Sequence, residues 1–250
     1  MKAATRLRSV APRETAADFP KFVLGRRVVY LHRNLSDRAP VVSRLLSELH
    51  SANGAGNRRG GFRLKLDDEL ELFVRVNRRG GLARVLFKEL YFGRDARPLH
   101  ELAITAEAAR RGIPVAEPLG AVVEWLAPLA YRGAVLTRAM SGMTLWEFVR
   151  TDDDHDVRRH VLELTGRTLD LMHRQGLFHA DLNLHNLFVT QAFESFRIAI
   201  LDLDKARLFR SAVPLRMRQR NLARLRHSAR KLDPDGRYFD AAALERLTTR

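Results

Sequence analysis

Cysteine is absent from the 250 residues. That excludes disulfides and any thiolate metal site, and it fits a reducing compartment. No apolar run approaches the roughly 20 residues of a bilayer-spanning helix. The segment Met1–Asp18 is basic but has no apolar core, which argues against a secretory signal. Internal repeats and low-complexity tracts are missing too. Acidic residues are in short supply, 29 against 44 Lys and Arg, for a net charge of +15. Such an imbalance favours an anionic partner: nucleic acid, an anionic membrane surface or a phosphorylated substrate. It does not choose among them, and an arginine-rich proteome produces the same excess. With 46% hydrophobic residues the chain is globular in composition and long enough to bury a core.

Periodicity then orders the chain. Residues 1–25 read as a poorly ordered basic arm or a short helix. A strand is expected over Arg27–Leu35 and a helix over Val41–His50, stopped by Asn53-Gly54. Four glycines lie between Gly54 and Gly61, before strands at Phe62–Leu66 and Leu70–Asn77. A helix over Pro98–Arg111 ends at Gly112 and Pro114, and strands follow at Val115–Leu126 and Gly133–Thr137. Apolar pattern lapses at Ala139–Gly142, which reads as a hinge. Beyond it come a short helix from Thr144 to Val149 and a long one over Asp156–Arg174, terminated by Gly176. Strands are expected at Leu187–Val189 and Ile198–Leu201, then helices at Asn221–Lys231 and Ala241–Leu247.

The densest chemistry lies between the last long helix and those strands. His179-Ala180-Asp181-Leu182 leads to Asn186, and Asp202-Leu203-Asp204 closes the next apolar run. Four fixed letters in the pattern H-x-D-L-x-x-x-N arise by chance about once in a thousand chains of this length at ordinary composition. The pattern is that of the catalytic loop of protein-kinase-like phosphotransferases. Asp181 is the expected catalytic carboxylate, orienting an acceptor hydroxyl and taking its proton late. Asn186 and Asp202 supply the hard oxygens that hold Mg2+ against the phosphates of ATP. Asp204 either assists the metal or pairs with Arg207. His179 braces the loop.

On the nucleotide side, Arg75 in Phe73-Val74-Arg75-Val76 stands where such folds carry a strand lysine, and Glu101 is its expected helix partner. Lys65 and Lys88 are the competing lysines. Gly56 and Gly60 belong to a loop that either covers phosphates or is only a flexible connection. The fold expected is α+β and two-lobed, protein-kinase-like, with a small antiparallel-sheet N-lobe over 26–139 and a mostly helical C-lobe over 140–250.

Several segments together resemble the 3-deoxy-D-manno-octulosonic acid (Kdo) kinases of the lipopolysaccharide core kinase group. They are Arg78-Arg79-Gly80-Gly81-Leu82, Tyr91, Glu101, Gly112-Ile113-Pro114-Val115 and Met172–His179, with Met172 in place of the pattern's leucine. Leu201-Asp202-Leu203-Asp204 and Asn221-Leu222-Ala223-Arg224-Leu225 complete the likeness, which spans about residues 54 to 232. The resemblance implies an enzyme that uses ATP and Mg2+ to phosphorylate a sugar hydroxyl of Kdo on the lipid A precursor. It also implies an anionic glycolipid acceptor and a cytoplasmic, peripheral location on the inner face of the inner membrane. The family's pattern tolerates arginine at the position of Arg75. Arg78, Arg79, Arg216, Arg218, Arg220, Arg224, Arg226 and Arg230 become acceptor-side cations, a solvated basic face being the alternative.

Two rival readings remain at this point. A kinase for protein or another small molecule shares the loop, although no Ala-Pro-Glu sequence follows Asp202. A basic kinase-fold scaffold binding nucleic acid would explain the charge but has no need of Asp181, Asn186 and Asp202 together.

Overall fold

The computed structural model describes residues 17–44, 61–76, 91–93, 95–192 and 195–248. They form two compact units that part between Ala139 and Met140, with Glu107–Ala116 grouping with the later residues.

The first unit is built on an antiparallel sheet. Its strands are β1 (Lys21–Leu24), β2 (Arg27–Leu31), β3 (Gly61–Lys65), β4 (Glu71–Val76), β5 (Tyr91–Phe92), β6 (Pro118–Ala127) and β7 (Ala130–Arg138). They run in the order β1-β2-β6-β7-β4-β3, with β5 also on β7. Side chains alternate between the faces of a strand, and the register lines up the rows. Val74, Leu136, Gly120 and Leu31 face one another across four strands. Val74, Leu136 and Leu31 from that row join Val29, Leu72 and Val42 in one core. The neighbouring row is Arg75, Val135, Ala121 and Tyr30, and it lies on the opposite face. There Ala121 packs with Leu102 and Ala106 of helix α1 (Arg97–Arg110).

The β-β-α-β-β run expected from sequence is present as β3, β4, α1, β6 and β7, and β1, β2 and β5 extend it. The arm expected over residues 1–25 requires correction at its end. Lys21–Leu24 pairs with β2, and Phe19 is buried against Leu102, Ala106 and Ala121. Apolar side chains and an open strand edge outweigh the basic character of the segment. The strand expected to reach Leu35 stops at Leu31, because the His32 side chain caps a 3-10 turn over Arg33–Arg38. Of the helix expected at Val41–His50, residues up to Arg44 are helical and the rest lie outside the described residues.

The second unit is mainly helical, with β8 (Met143–Thr144), β10 (Leu187–Ala192) and β11 (Ser195–Ile200) in a small sheet and a ribbon of β9 (Leu177–Phe178) with β12 (Arg207–Leu208). Helix α2 (Leu145–Thr151) begins at a reciprocal cap. Thr144 Oγ1 accepts from Glu147 N–H, while the Glu147 carboxylate accepts from Thr144 N–H. Helix α3 (His155–Arg174) starts where Asp154 accepts from the N–H groups of Asp156 and Val157. Those two bonds hold the Asp154 carboxyl below its ordinary pKa.

The buried stripe of α3 is Val161, Leu162, Thr165, Leu169 and Met172, at helical spacing. Gly166 sits in it because a Cβ there would lie 2.3 Å from the Arg246 carbonyl of α5 (Ala241–Thr248). Gly176, at φ +83°, ends α3 where a Cβ would meet the carbonyls of Ser211 and Phe209. Between these elements α4 (Leu215–Leu232) buries Asn221, Leu225 and Ala229 and leaves its arginine-rich face outward. Among the described residues no helix is long and apolar enough to cross a membrane.

Candidate active site

Three neighbours hold His179, and they dictate its chemistry. Its Nε2 lies 2.9 Å from the Leu201 carbonyl, which can only accept, so Nε2 carries the proton. Its Nδ1 then accepts from the N–H of Asp181 at 3.2 Å. The imidazole is 1% exposed, and burial pushes its pKa below the ordinary histidine range. It is a neutral brace with both nitrogens engaged.

The third neighbour is Asn221 of α4. Its side-chain oxygen accepts from His179 N–H at 3.2 Å, and its NH2 donates to the His179 carbonyl at 2.6 Å. The same oxygen lies 3.2 Å from His173 Nε2, which therefore donates. His173 is also buried, and burial lowers its pKa. Sequence reading gave Asn221 a place in a basic helix and in a segment of the family resemblance, with no role of its own.

With its start clamped, the loop turns outward at Asp181. The Asp181 carbonyl accepts from Asn183 Nδ2 at 2.8 Å and from Asn186 Nδ2 at 3.0 Å. With its NH2 turned to that carbonyl, the oxygen of Asn186 is the half of the amide that can face a cation. Asn183 caps the short 3-10 turn Leu184–Asn186 by accepting from His185 N–H. The Asp181 side chain is about half exposed, and its Oδ1 lies 3.3 Å from Arg224 Nη1.

Strand pairing brings the metal-binding candidates together. Leu187 faces Ile200 across β10 and β11, and Leu201 N–H donates to the Asn186 carbonyl at 2.9 Å. Asn186, just before β10, and Asp202, just after β11, thus share one end of the hairpin. Asp202 has φ +61°, the only left-handed non-glycine backbone among the described residues. Among those residues no three His, Asp or Glu side chains cluster into a metal cage. One carboxylate and one amide oxygen, completed by water and phosphate oxygens, is the hard donor set that Mg2+ takes. The residues present fit that ion.

In the sheet unit, the structure joins Arg75 to Glu101. The guanidinium on the α1 face of β4 meets the Glu101 carboxylate, which is almost fully buried. Lys65 is instead spent on Asp68 in the exposed β3–β4 turn, at 2.7 Å. Gly56, Gly60, Arg78, Arg79 and Lys88 lie outside the described residues.

A model of the lipopolysaccharide kinase (Kdo/WaaP) family matches residues 44–247. The chain belongs to that family. A 3-deoxy-D-manno-octulosonic acid kinase of Xylella fastidiosa (strain 9a5c) is 32% identical over 180 residues, 69% of each chain. Among solved structures, WaaP in complex with acyl carrier protein aligns with a TM-score of 0.55 and 18% identity over 89% of both chains. The Rio2 kinase from Chaetomium thermophilum, solved as an ADP/Mg2+-phosphoaspartate complex, aligns with a TM-score of 0.52 and 11% identity over 94% of this chain and 73% of its own. These two establish the α+β, protein-kinase-like fold. Membership of the lipopolysaccharide kinase family makes the chain a phosphotransferase with a hydroxyl acceptor.

Proposed function

We propose that this lipopolysaccharide kinase transfers phosphate from ATP, with Mg2+, to a hydroxyl of Kdo in the inner core, with Kdo-lipid A as acceptor. The observation that carries the reading is the loop clamped by Asn221 and His179, which presents Asp181 outward and sets Asn186 and Asp202 at one end of a hairpin. A relative named as a 3-deoxy-D-manno-octulosonic acid kinase supports Kdo as the acceptor.

The residue roles follow from it. Asp181 orients the acceptor hydroxyl and receives its proton. Asn186 and Asp202 hold the metal, whose charge offsets that of the phosphates during transfer. Arg75, steadied by Glu101, binds nucleotide phosphate; its planar fork can meet two phosphate oxygens at once, where a lysine offers a point charge. The units described above serve as the N-lobe and C-lobe of one catalytic domain. A chain of +15 is drawn to an acidic bilayer surface, which supports a peripheral place on the cytoplasmic face of the inner membrane.

The test is transfer of labelled phosphate from ATP to Kdo-lipid A by purified protein, compared with Asp181→Asn. Transfer that is lost in the variant, with the fold intact by circular dichroism, supports the reading. Folded wild-type protein that phosphorylates none of several Kdo acceptors overturns it. Label entering lysate protein instead of extracted lipid would transfer the assignment to a protein kinase.

A further inference from the structure

We infer that Arg224 receives the carboxylate of an acidic sugar beside Asp181, and that Arg220 and Arg216 continue this anion-binding row along α4. The inference rests on the proposed acceptor, Kdo being a sugar acid, and deepens it.

Residues four apart on a helix stack in one row. Arg216, Arg220, Arg224 and Ser228 form such a row, and two contacts show where it faces. Ser228 Oγ accepts from Leu184 N–H at 3.3 Å, and Arg224 Nη1 lies 3.3 Å from Asp181 Oδ1. The row therefore borders the catalytic loop. Two other arginines of α4 are committed elsewhere. Arg218 Nε donates to the Val213 carbonyl at 2.7 Å, and Arg226 donates twice to Thr248 Oγ1. Arg216 and Arg220 are exposed, and neither has a carboxylate partner among the described residues.

The Arg224–Asp181 contact itself is single and exposed, with side chains 49% and 56% accessible. Exposed pairs of this kind hold weakly. An incoming carboxylate that offers two oxygens to the guanidinium fork forms the stronger, bidentate arrangement. It takes Arg224 from Asp181 and leaves the Asp181 oxygen to the acceptor's hydroxyl. Carboxylate and hydroxyl would then be neighbours on one monosaccharide. A neutral sugar has nothing to draw the guanidinium away, so the pair discriminates by charge as well as by shape. Arg220 and Arg216 lie in line for anionic groups farther along the same acceptor.

The experiment compares Kdo-lipid A with the same acceptor carrying methyl-esterified Kdo carboxylates, at saturating ATP, in wild type and Arg224→Ala. Wild type is expected to prefer the free acid by about tenfold or more in kcat/KM, the worth of a charge-assisted contact. In Arg224→Ala the KM for the acid rises to that of the ester and the preference disappears. Arg224→Gln reads the same contact should the alanine variant fold poorly. A wild type indifferent to esterification, or a preference undiminished in either variant, overturns the inference while leaving the kinase assignment intact. No transfer by wild type to either acceptor overturns the acceptor assignment and this inference with it.

Discussion

Asn221 closes on both main-chain groups of His179, accepting its N–H and donating to its carbonyl, from a position 1% exposed. One amide thereby links α4, the end of α3 through His173, and the first residue of the His179–Asn186 loop. Truncation to Asn221→Ala leaves buried donors and an acceptor unsatisfied, a loss of about 2–4 kcal/mol on general grounds. Chemical denaturation should show that drop. Phosphate transfer should fall in kcat more than in KM for ATP, since the loop rather than the nucleotide side loses its support. A variant as stable as wild type would show that the clamp is not what holds the loop.

Acid should unfold this protein earlier than its carboxylates alone would require. Burial lowers the pKa of His173 and of His179, so below the ordinary histidine value the unfolded chain binds protons that the folded chain refuses. Stability then falls as pH falls, each histidine contributing at most about 1.4 kcal/mol per pH unit. Above the ordinary value both states are neutral and the contribution is flat. Asp67 and Asp154, whose pKa values are lowered by hydrogen bonds from backbone N–H groups, come into play only at more acidic pH. Melting temperature measured from pH 7.5 to 5.0 should be level at first and then decline. A level curve throughout would contradict the buried, neutral state of both rings.

The Arg75–Glu101 pair should govern nucleotide binding rather than acceptor binding. Glu101→Ala removes the carboxylate that steadies the guanidinium, and the KM for ATP should rise about tenfold, the worth of one charge-assisted bond. Arg75→Ala should do at least as much, and Arg75→Lys should recover part of the loss. The KM for the acceptor should stay within twofold, about the scatter expected for a contact untouched by the change. Unaltered ATP kinetics in Glu101→Ala would remove this pair from the nucleotide side.

Asp202 combines a chemical and a conformational demand. Its backbone is left-handed, a region that asparagine and glycine visit readily and alanine does not. Asp202→Asn, Asp202→Gly and Asp202→Ala should all lose activity if the carboxylate holds the metal. Only the alanine variant should also lose about 1 kcal/mol of stability from backbone strain. Thermal melts of the three proteins separate the two effects, and measurable turnover in Asp202→Asn would exclude the carboxylate from that role.

The periodicity of the chain foretold much of the fold, because Leu72–Val74–Val76 and Val161–Thr165–Met172 are written at the spacing of a strand and of a helix. The end of the N-terminal arm was misread for the opposite reason. Phe19 and Phe22 acquire partners only when the edge of β2 is in place, and a basic local composition hides that. At the site, the sequence by itself pointed to phosphoryl transfer, the class that membership of the kinase family shows, since the types and order of Asp181, Asn186 and Asp202 are local. It also nominated Arg75 and Glu101 as partners, by their places on a strand and a helix. Only the tertiary structure decided which of many arginines reaches Asp181 and what anchors His179. Arg224 and Asn221 stand more than forty positions from their partners. Both sit in a helix whose composition is nearly uniform in charge, so no local pattern distinguishes them. The packing of α4 against the loop selects one face of that helix, and with it the two residues that matter.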